Sequence, residues 1–179
     1  MVERLKTEYQ IELEWRPFYL RPDTPSEGMD LPDYVLQARA NGSENHLEKL
    51  AQQHNLPFVS TKRFYNTRLA HEATEYARQH GKANEFHKLM FHKVYAEGQN
   101  PSEWAVIRAV AHEVGLDAED MQSVVESGKY TDEVAGQVQR AYQIGVSGVP
   151  TYVINDKYAV VGAQPYEVFK NALMQILQK

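Results

Sequence analysis

The chain has 179 residues, of which 42% are apolar and 24% are charged, so it can bury a core and fits one domain, or one domain with an insertion. Its formal net charge of -5 argues against a nucleic-acid partner, because phosphate contacts require a basic face. The chain contains no cysteine, which excludes disulfides, thiolate metal sites and thiol nucleophiles from this polypeptide.

The sequence shows neither a membrane span nor a secretion signal. No apolar run approaches the roughly 18 residues that a spanning helix needs. Met1–Lys6 lacks the apolar stretch of a secretory signal. We therefore expect a cytoplasmic protein with no membrane partner.

The first 30 residues predict a helix end, a strand and a loop. Val2–Tyr9 is amphipathic and typical of the last turns of a helix. Ile11–Arg16 alternates apolar and charged residues, which is the period of a strand with one buried face. The prolines and the glycine that follow predict a loop over 17–30.

Residues 31–144 predict about seven helices separated by capping residues. The aromatic residues Phe86, Phe91, Tyr95 and Trp104 are expected in the core of this block or along a cleft, rather than in a cofactor site. The predicted helices begin near Asp30 or Pro32, Ser43, Thr67, Lys82, Ser102, Asp117 and Thr131, and end near Asn41, His54, His80, Glu97, Gly115, Gly128 and Gly145.

The stretch Gly145–Ile154, GVSGVPTYVI, places Pro150 directly before a β-branched and aromatic run. Proline has no N–H for a sheet ladder, so a proline at the beginning of a strand requires a specific reason.

Two strands and a helix are predicted after this proline. Thr151–Ile154 and Tyr158–Val161 are β-rich runs separated by an Asn-Asp pair, which is a hairpin signal. Pro165 suits the first position of a helix, and Tyr166–Leu177 is amphipathic.

This order of elements resembles a thioredoxin fold interrupted by a helical insertion. Four motifs carry the resemblance: Trp15–Phe18 with Leu20, Asn66–His71, Gly145–Ile154 and Gly162–Gln164. In these motifs the chain is similar to the DsbA-like family, and specifically to its FrnE-like thiol-disulfide oxidoreductases. The resemblance implies an α/β protein with thioredoxin-like parts over 1–30 and 131–179 and an all-helical insertion over 31–130.

The resemblance also implies a role for the proline. In thioredoxin-like folds this proline is cis, and the backbone of the preceding residue, here Val149, pairs with an extended substrate. The alternative is a trans proline that merely begins an edge strand. The implied substrate-binding residues are Gly148, Val149, Pro150, Thr151, Gly162, Ala163 and Gln164.

The sequence leaves two interpretations for three residues at the start of a predicted helix. Asn66, Arg68 and His71 either face the active-site cleft of this family or serve as a helix cap and surface charge.

In this family a Cys-x-x-Cys pair opens the first helix, where the helix N-terminus favours the thiolate. Since the chain lacks cysteine, we expect the central strand and the catalytic pair to precede Met1. Three explanations stay open: a longer natural protein, a non-catalytic descendant, or a partner chain that completes the sheet. Uncovered strand edges would then favour a homo-oligomer.

The implied activity is thiol-disulfide exchange through a mixed disulfide, on a protein or a small thiol or disulfide substrate. We assign no catalytic residue, expect no cofactor or metal, and expect this chain alone to be inactive. One alternative is a relative of the glutathione-dependent kappa-type transferases and 2-hydroxychromene-2-carboxylate isomerases, which carry a serine in place of the first cysteine. The other is a non-catalytic peptide-binding protein.

The histidines do not predict a metal site. The sequences HEATE at 71–75 and HEVGL at 112–116 each lack the second histidine of a zinc-protease helix. His87 and His92 are five positions apart and do not share a helix face. Asn41–Ser43 matches a glycosylation sequon but is more simply a helix C-cap followed by an N-cap.

Overall fold

A computed structural model describes residues 2–41 and 46–177, most of them helical. The helices are α1 Val2–Glu8, α2 Asp33–Ala40, α3 His46–Gln53, α4 Arg68–Gln79, α5 Ala83–Phe91, α6 Trp104–Glu113, α7 Ala118–Glu126, α8 Thr131–Gln143 and α9 Tyr166–Leu177, with a π-helical turn at His92–Ala96. The strands are β1 Met29–Asp30, β2 Arg63–Phe64, β3 Thr151–Ile154 and β4 Tyr158–Val161.

The chain divides into two units. We call Arg21–Gly136 the central unit, and Met1–Leu20 together with Gln137–Lys179 the terminal unit. None of the helices in the described part of the chain combines the length and the hydropathy that a membrane crossing requires.

The predicted helices are confirmed, with bounds that differ by a few residues. The predicted Ser43 start of α3, like Gly42 of the sequon, lies outside the described residues. The helix predicted over 82–97 is α-helical only to Phe91, and its last turn is π-helical, a feature that apolar periodicity does not signal.

The core of the central unit forms where α4, α5, α6 and α7 pack together. Ala73 and Ala77 of α4 have no exposed surface. They lie one turn apart, so their small side chains let the neighbouring helices approach one face of α4. Phe86 and Ile107 fill the space and are also fully buried.

The loop after residue 20 belongs to the central unit. The Asn66 side-chain amide donates to the carbonyl of Thr24 at 2.7 Å, and β1 pairs antiparallel with β2. The central unit begins at Arg21 and ends at Gly136, and the insertion predicted over 31–130 lies within it.

The terminal unit is built on the predicted hairpin. β3 pairs antiparallel with β4 from Thr151↔Val161 to Ile154↔Tyr158. Asn155 and Asp156 both have positive φ, 51° and 54°, as a type I′ turn requires. One face of the hairpin packs on Phe169 of α9, whose ring meets the Tyr152 ring edge-on at 4.7 Å.

The prediction that Ile11–Arg16 forms a strand is wrong. Its burial alternates as expected, with Ile11, Leu13 and Trp15 half-buried and the charged residues between them exposed. However, the described residues form only the sheets β1-β2 and β3-β4. A strand requires a ladder partner as well as a pattern, so this segment is not a strand of either sheet.

We predict that Phe86→Ala lowers the free energy of unfolding of the central unit by about 3–5 kcal/mol, because it empties a fully buried site. Phe91→Ala, on the same helix and 50% exposed, should lower it by about 1 kcal/mol or less. Urea titration followed by tryptophan fluorescence measures both, in a Trp15→Phe background that leaves Trp104, packed on this core, as the fluorophore. Equal losses would contradict the assignment of the core.

Candidate functional site

The proline motif forms a turn between α8 and β3. The helix ends at Gln143. Gly145, just beyond it, has a φ of +84°, and the N–H of Val146 donates back to the carbonyl of Ala141 at 3.0 Å. This is a glycine C-cap, in which a residue in the left-handed conformation ends the helix and turns the chain away from it. Val149-Pro150, the next step toward β3, is a cis peptide bond.

The register of the β3-β4 ladder determines which backbone N–H and C=O groups of β3 point away from β4. The carbonyl of Pro150 accepts a hydrogen bond from the N–H of Gly162 at 2.8 Å, so this carbonyl points toward β4. In an antiparallel ladder, hydrogen-bonded pairs alternate with pairs whose N–H and C=O point outward. Thr151 and Val153 therefore direct their backbone groups away from β4, toward the open edge of β3.

Val149 is the exposed residue of this turn. The residue is 52% exposed, and the described residues provide no hydrogen-bond partner for its N–H or C=O. The carbonyls on either side of it are both occupied: that of Gly148 accepts from the Thr151 hydroxyl at 2.7 Å, and that of Pro150 accepts from Gly162.

The second predicted stretch, Gly162–Gln164, lies at the end of β4 beside this turn. Gly162 has a φ of +83°, which disfavours other residues there. The backbone N–H of Gln164 donates to the carbonyl of Gly162 at 2.9 Å, and its side-chain amide donates to the carbonyl of Val161 at 2.9 Å. The two stretches implied to bind substrate, Gly148–Thr151 and Gly162–Gln164, are therefore joined by the hydrogen bond from Gly162 to Pro150 and lie side by side.

Asn66, Arg68 and His71 lie in the central unit, at the start of α4. The Asn66 side-chain oxygen accepts from the N–H of Arg68 at 2.9 Å, so Asn66 satisfies an amide of the first turn while its own amide group binds Thr24. The Arg68 guanidinium contacts both carboxylate oxygens of Glu72 at 2.9 and 3.1 Å. Structural partners thus account for the polar groups of Asn66 and for the guanidinium of Arg68.

Two buried carboxylates on α4 were not recognised in the sequence. Glu72 and Glu75 are only 1% and 2% exposed. Each is paired with an arginine, since Arg78 contacts Glu75 at 2.9 Å, and the Thr131 hydroxyl also donates to Glu72 at 3.2 Å. The clue in the sequence was the arginine three or four positions away in each case.

His71 and His87 are half-buried histidines, and His71 contributes to lowering the pKa of His87. Burial lowers the pKa of His71 to about 4, partly opposed by Glu75. Burial also lowers the pKa of His87 to about 4, with smaller contributions from His71 and Arg78. The His87 ring packs against Phe91 at 4.3 Å. His87, which the sequence paired only with His92, thus belongs to the surroundings of His71.

A family model of the DsbA-like thioredoxin domain matches residues 1–174. The chain belongs to the DsbA-like family. The expected family and its thioredoxin-like fold are therefore confirmed.

Two curated proteins are similar to this DsbA-like chain in sequence. The uncharacterized protein YwbO of Bacillus subtilis is 31% identical over 169 residues, covering 91% of this chain and 81% of that protein. The 2-hydroxychromene-2-carboxylate isomerase of Sphingobium xenophagum is 26% identical over 145 residues, covering 72% of each.

Solved structures share the fold. A 2-hydroxychromene-2-carboxylate isomerase superposes with a TM-score of 0.78 at 19% identity, over 99% of this chain and 87% of its own. The probable DsbA oxidoreductase of Streptomyces coelicolor superposes with a TM-score of 0.73 at 24% identity, over 92% of this chain and 74% of its own. These identities support the fold alone.

The chemistry available at the proline turn is recognition by hydrogen bonding. The DsbA-like chain has no thiol, and Val149 offers one donor and one acceptor, the groups that an extended polypeptide pairs with. No three potential metal ligands converge among residues 2–41 and 46–177.

The two low histidine pKa values predict acid sensitivity. An unfolded histidine titrates near pH 6.5, so the folded DsbA-like chain binds fewer protons than the unfolded chain between about pH 6.5 and 4. The contribution of the two histidines to the free energy of unfolding is fully present above that window. It is lost as the pH falls through the window, by up to about 1.4 kcal/mol per pH unit for each histidine.

Urea titrations at half-unit steps of pH measure this loss. The double variant His71→Gln/His87→Gln should flatten the profile between pH 6.5 and 4, and each single variant should remove part of the slope. A double variant with the wild-type profile would show that other groups cause the acid sensitivity.

Proposed function

We propose that this DsbA-like chain is the substrate-docking part of an FrnE-like thiol-disulfide oxidoreductase that acts in the cytoplasm on extended protein or small disulfide substrates. The observation that carries the proposal is the exposed Val149, whose backbone donor and acceptor lack partners in the described chain. Its position in a DsbA-like domain, at the turn before β3, supports the same role.

The docking step adds a short strand to the turn. An extended substrate segment pairs its own N–H and C=O with those of Val149, as in β-strand addition. Gly148 is half-buried, and a Cβ built on it would meet no heavy atom within 4 Å. Its lack of a side chain therefore leaves open space beside the pairing groups.

The redox step needs a dithiol from outside these 179 residues, because the chain has no cysteine. One thiolate attacks a substrate sulfur, the substrate S–S bond breaks, and a mixed disulfide forms. The second thiolate then attacks the mixed disulfide. The substrate is released as a dithiol and the attacking pair becomes a disulfide; oxidation of a substrate dithiol is the reverse.

Docking is tested with an S-methylated insulin B chain, a polypeptide whose blocked thiols cannot form disulfides. In a ¹⁵N-labelled sample of this chain, we expect the amide resonance of Val149 to shift on titration. The matched control is the same peptide with N-methylated backbone amides, which keeps the side chains but loses the donors; it should bind much more weakly. Equal binding of both peptides, or shifts that leave Val149 unchanged, would refute backbone docking.

Redox activity is tested separately. The cysteine-free chain should not reduce insulin disulfides at any pH, because the nucleophile of the reaction is a thiolate. In a form fused to a Cys-x-x-Cys segment that is active, Pro150→Ala should lower the turnover while the thiols remain titratable. Reduction of insulin by the cysteine-free chain would overturn the assignment.

The second candidate is a glutathione-dependent isomerase, which the 26% identity to the Sphingobium xenophagum enzyme favours. Under this alternative the chain would bind glutathione and convert 2-hydroxychromene-2-carboxylate. Calorimetry with glutathione and an absorbance assay of the isomerisation discriminate between the two. Under the oxidoreductase proposal we expect no isomerisation, and turnover of the chromene by a chain that does not bind the insulin peptide would reverse the ranking.

A further inference from the structure

The proline turn is anchored on both sides of the residue that it exposes. We propose that Thr151 and Gln164 are positioning residues that hold the Val149 backbone in its docking geometry without touching the substrate. This inference rests on the proposed docking function and assigns roles that the family resemblance gave only as substrate contact.

Thr151 forms the first anchor. Its hydroxyl donates to the carbonyl of Gly148 at 2.7 Å, which fixes the peptide group that also carries the N–H of Val149. Thr151 is half-buried, and its own backbone groups point toward the open edge of β3. The hydroxyl is therefore directed back into the turn.

Gln164 forms the second anchor through a peptide group of β4. The side-chain amide of Gln164 donates to the carbonyl of Val161 at 2.9 Å. The N–H of the same peptide group, which belongs to Gly162, donates to the carbonyl of Pro150 at 2.8 Å. The three groups form a chain of hydrogen bonds from Gln164 to Pro150, in which each bond polarises and strengthens the next.

The Thr151 hydroxyl and the N–H of Gly162 occupy the two carbonyls that flank Val149, and Gln164 supports the second of these bonds through the carbonyl of Val161. The N–H and C=O of Val149 have no partner in the described part of the chain. A binding group held in this way does not have to be ordered when the ligand arrives, which lowers the entropic cost of association. Removing either anchor should therefore weaken binding without removing any contact to the peptide.

The variants are chosen to change one hydrogen bond each. Thr151→Val keeps the shape but loses the donor, and Thr151→Ser restores a hydroxyl. Gln164→Glu keeps the length but cannot donate to the carbonyl of Val161. Gln175→Glu, at an exposed position of α9, makes the same change of charge in the terminal unit and is the control for it.

The first readout is the backbone order parameter of the Val149 amide in the free protein. We expect a rigid value of about 0.85 in the wild type and in Thr151→Ser and Gln175→Glu, and a fall toward about 0.6 in Thr151→Val and Gln164→Glu. Urea titration shows whether each variant is folded. If one of the two anchor variants is unfolded, the order parameter of the other one tests the proposal. An unchanged order parameter in a folded anchor variant overturns its role.

The second readout is the Kd for the S-methylated insulin B chain. Each anchor variant should bind about fivefold more weakly, the effect of one neutral hydrogen bond, and Thr151→Ser should bind as the wild type does. Anchor variants that bind as tightly as the wild type refute the positioning role. If the wild type fails to bind while the order parameters fall as expected, the docking function is wrong and the anchoring stands.

Discussion

The hydrogen bond from the N–H of Gly162 to the carbonyl of Pro150, at 2.8 Å, organises the proposed site. It continues the β3-β4 ladder one step beyond its last strand pair, and so decides which backbone groups of β3 point to β4 and which point outward. It also brings the turn after β4 against the turn before β3. A change of one residue in this register would turn the outward groups of Thr151 inward.

The central unit provides a contrast, because polar residues at and near the start of α4 pair with other groups of the same unit. Glu72 and Glu75 are buried but paired with arginines, and Asn66 joins the start of α4 to the loop at Thr24. Buried charges that keep their partners are weak contributors to stability, although removing one partner is costly. These residues therefore help to hold α4 in place. Val149, whose backbone N–H and C=O have no partner in the described part of the chain, belongs to the terminal unit.

The chain belongs to the DsbA-like family but contains no cysteine, and the two facts together limit the reactions that its own residues can perform. A fold can host several activities, and the activity depends on the groups placed at the site. In this chain the proposed docking groups are a backbone donor and acceptor, which can pair with an extended polypeptide but cannot exchange electrons. This is why the docking and redox steps of the proposed function are separable, and why similarity to both oxidoreductases and isomerases is compatible with one fold.

The sequence by itself determined the elements whose signals are local. The Asn155-Asp156 turn, the glycine C-cap at Gly145 and the limits of β3, β4 and α9 follow from residues that favour one backbone conformation, so they could be predicted. The motifs around Pro150 and Gly162 also identified the two stretches that form the candidate site. Only the tertiary structure decided the status of Ile11–Arg16 and the first residue of the central unit. It alone showed that the Thr151 hydroxyl bonds the carbonyl of Gly148, and that the Gln164 side chain bonds the carbonyl of Val161. The physical reason is that a strand, a unit boundary and an anchored turn each depend on hydrogen bonds to residues outside the local pattern.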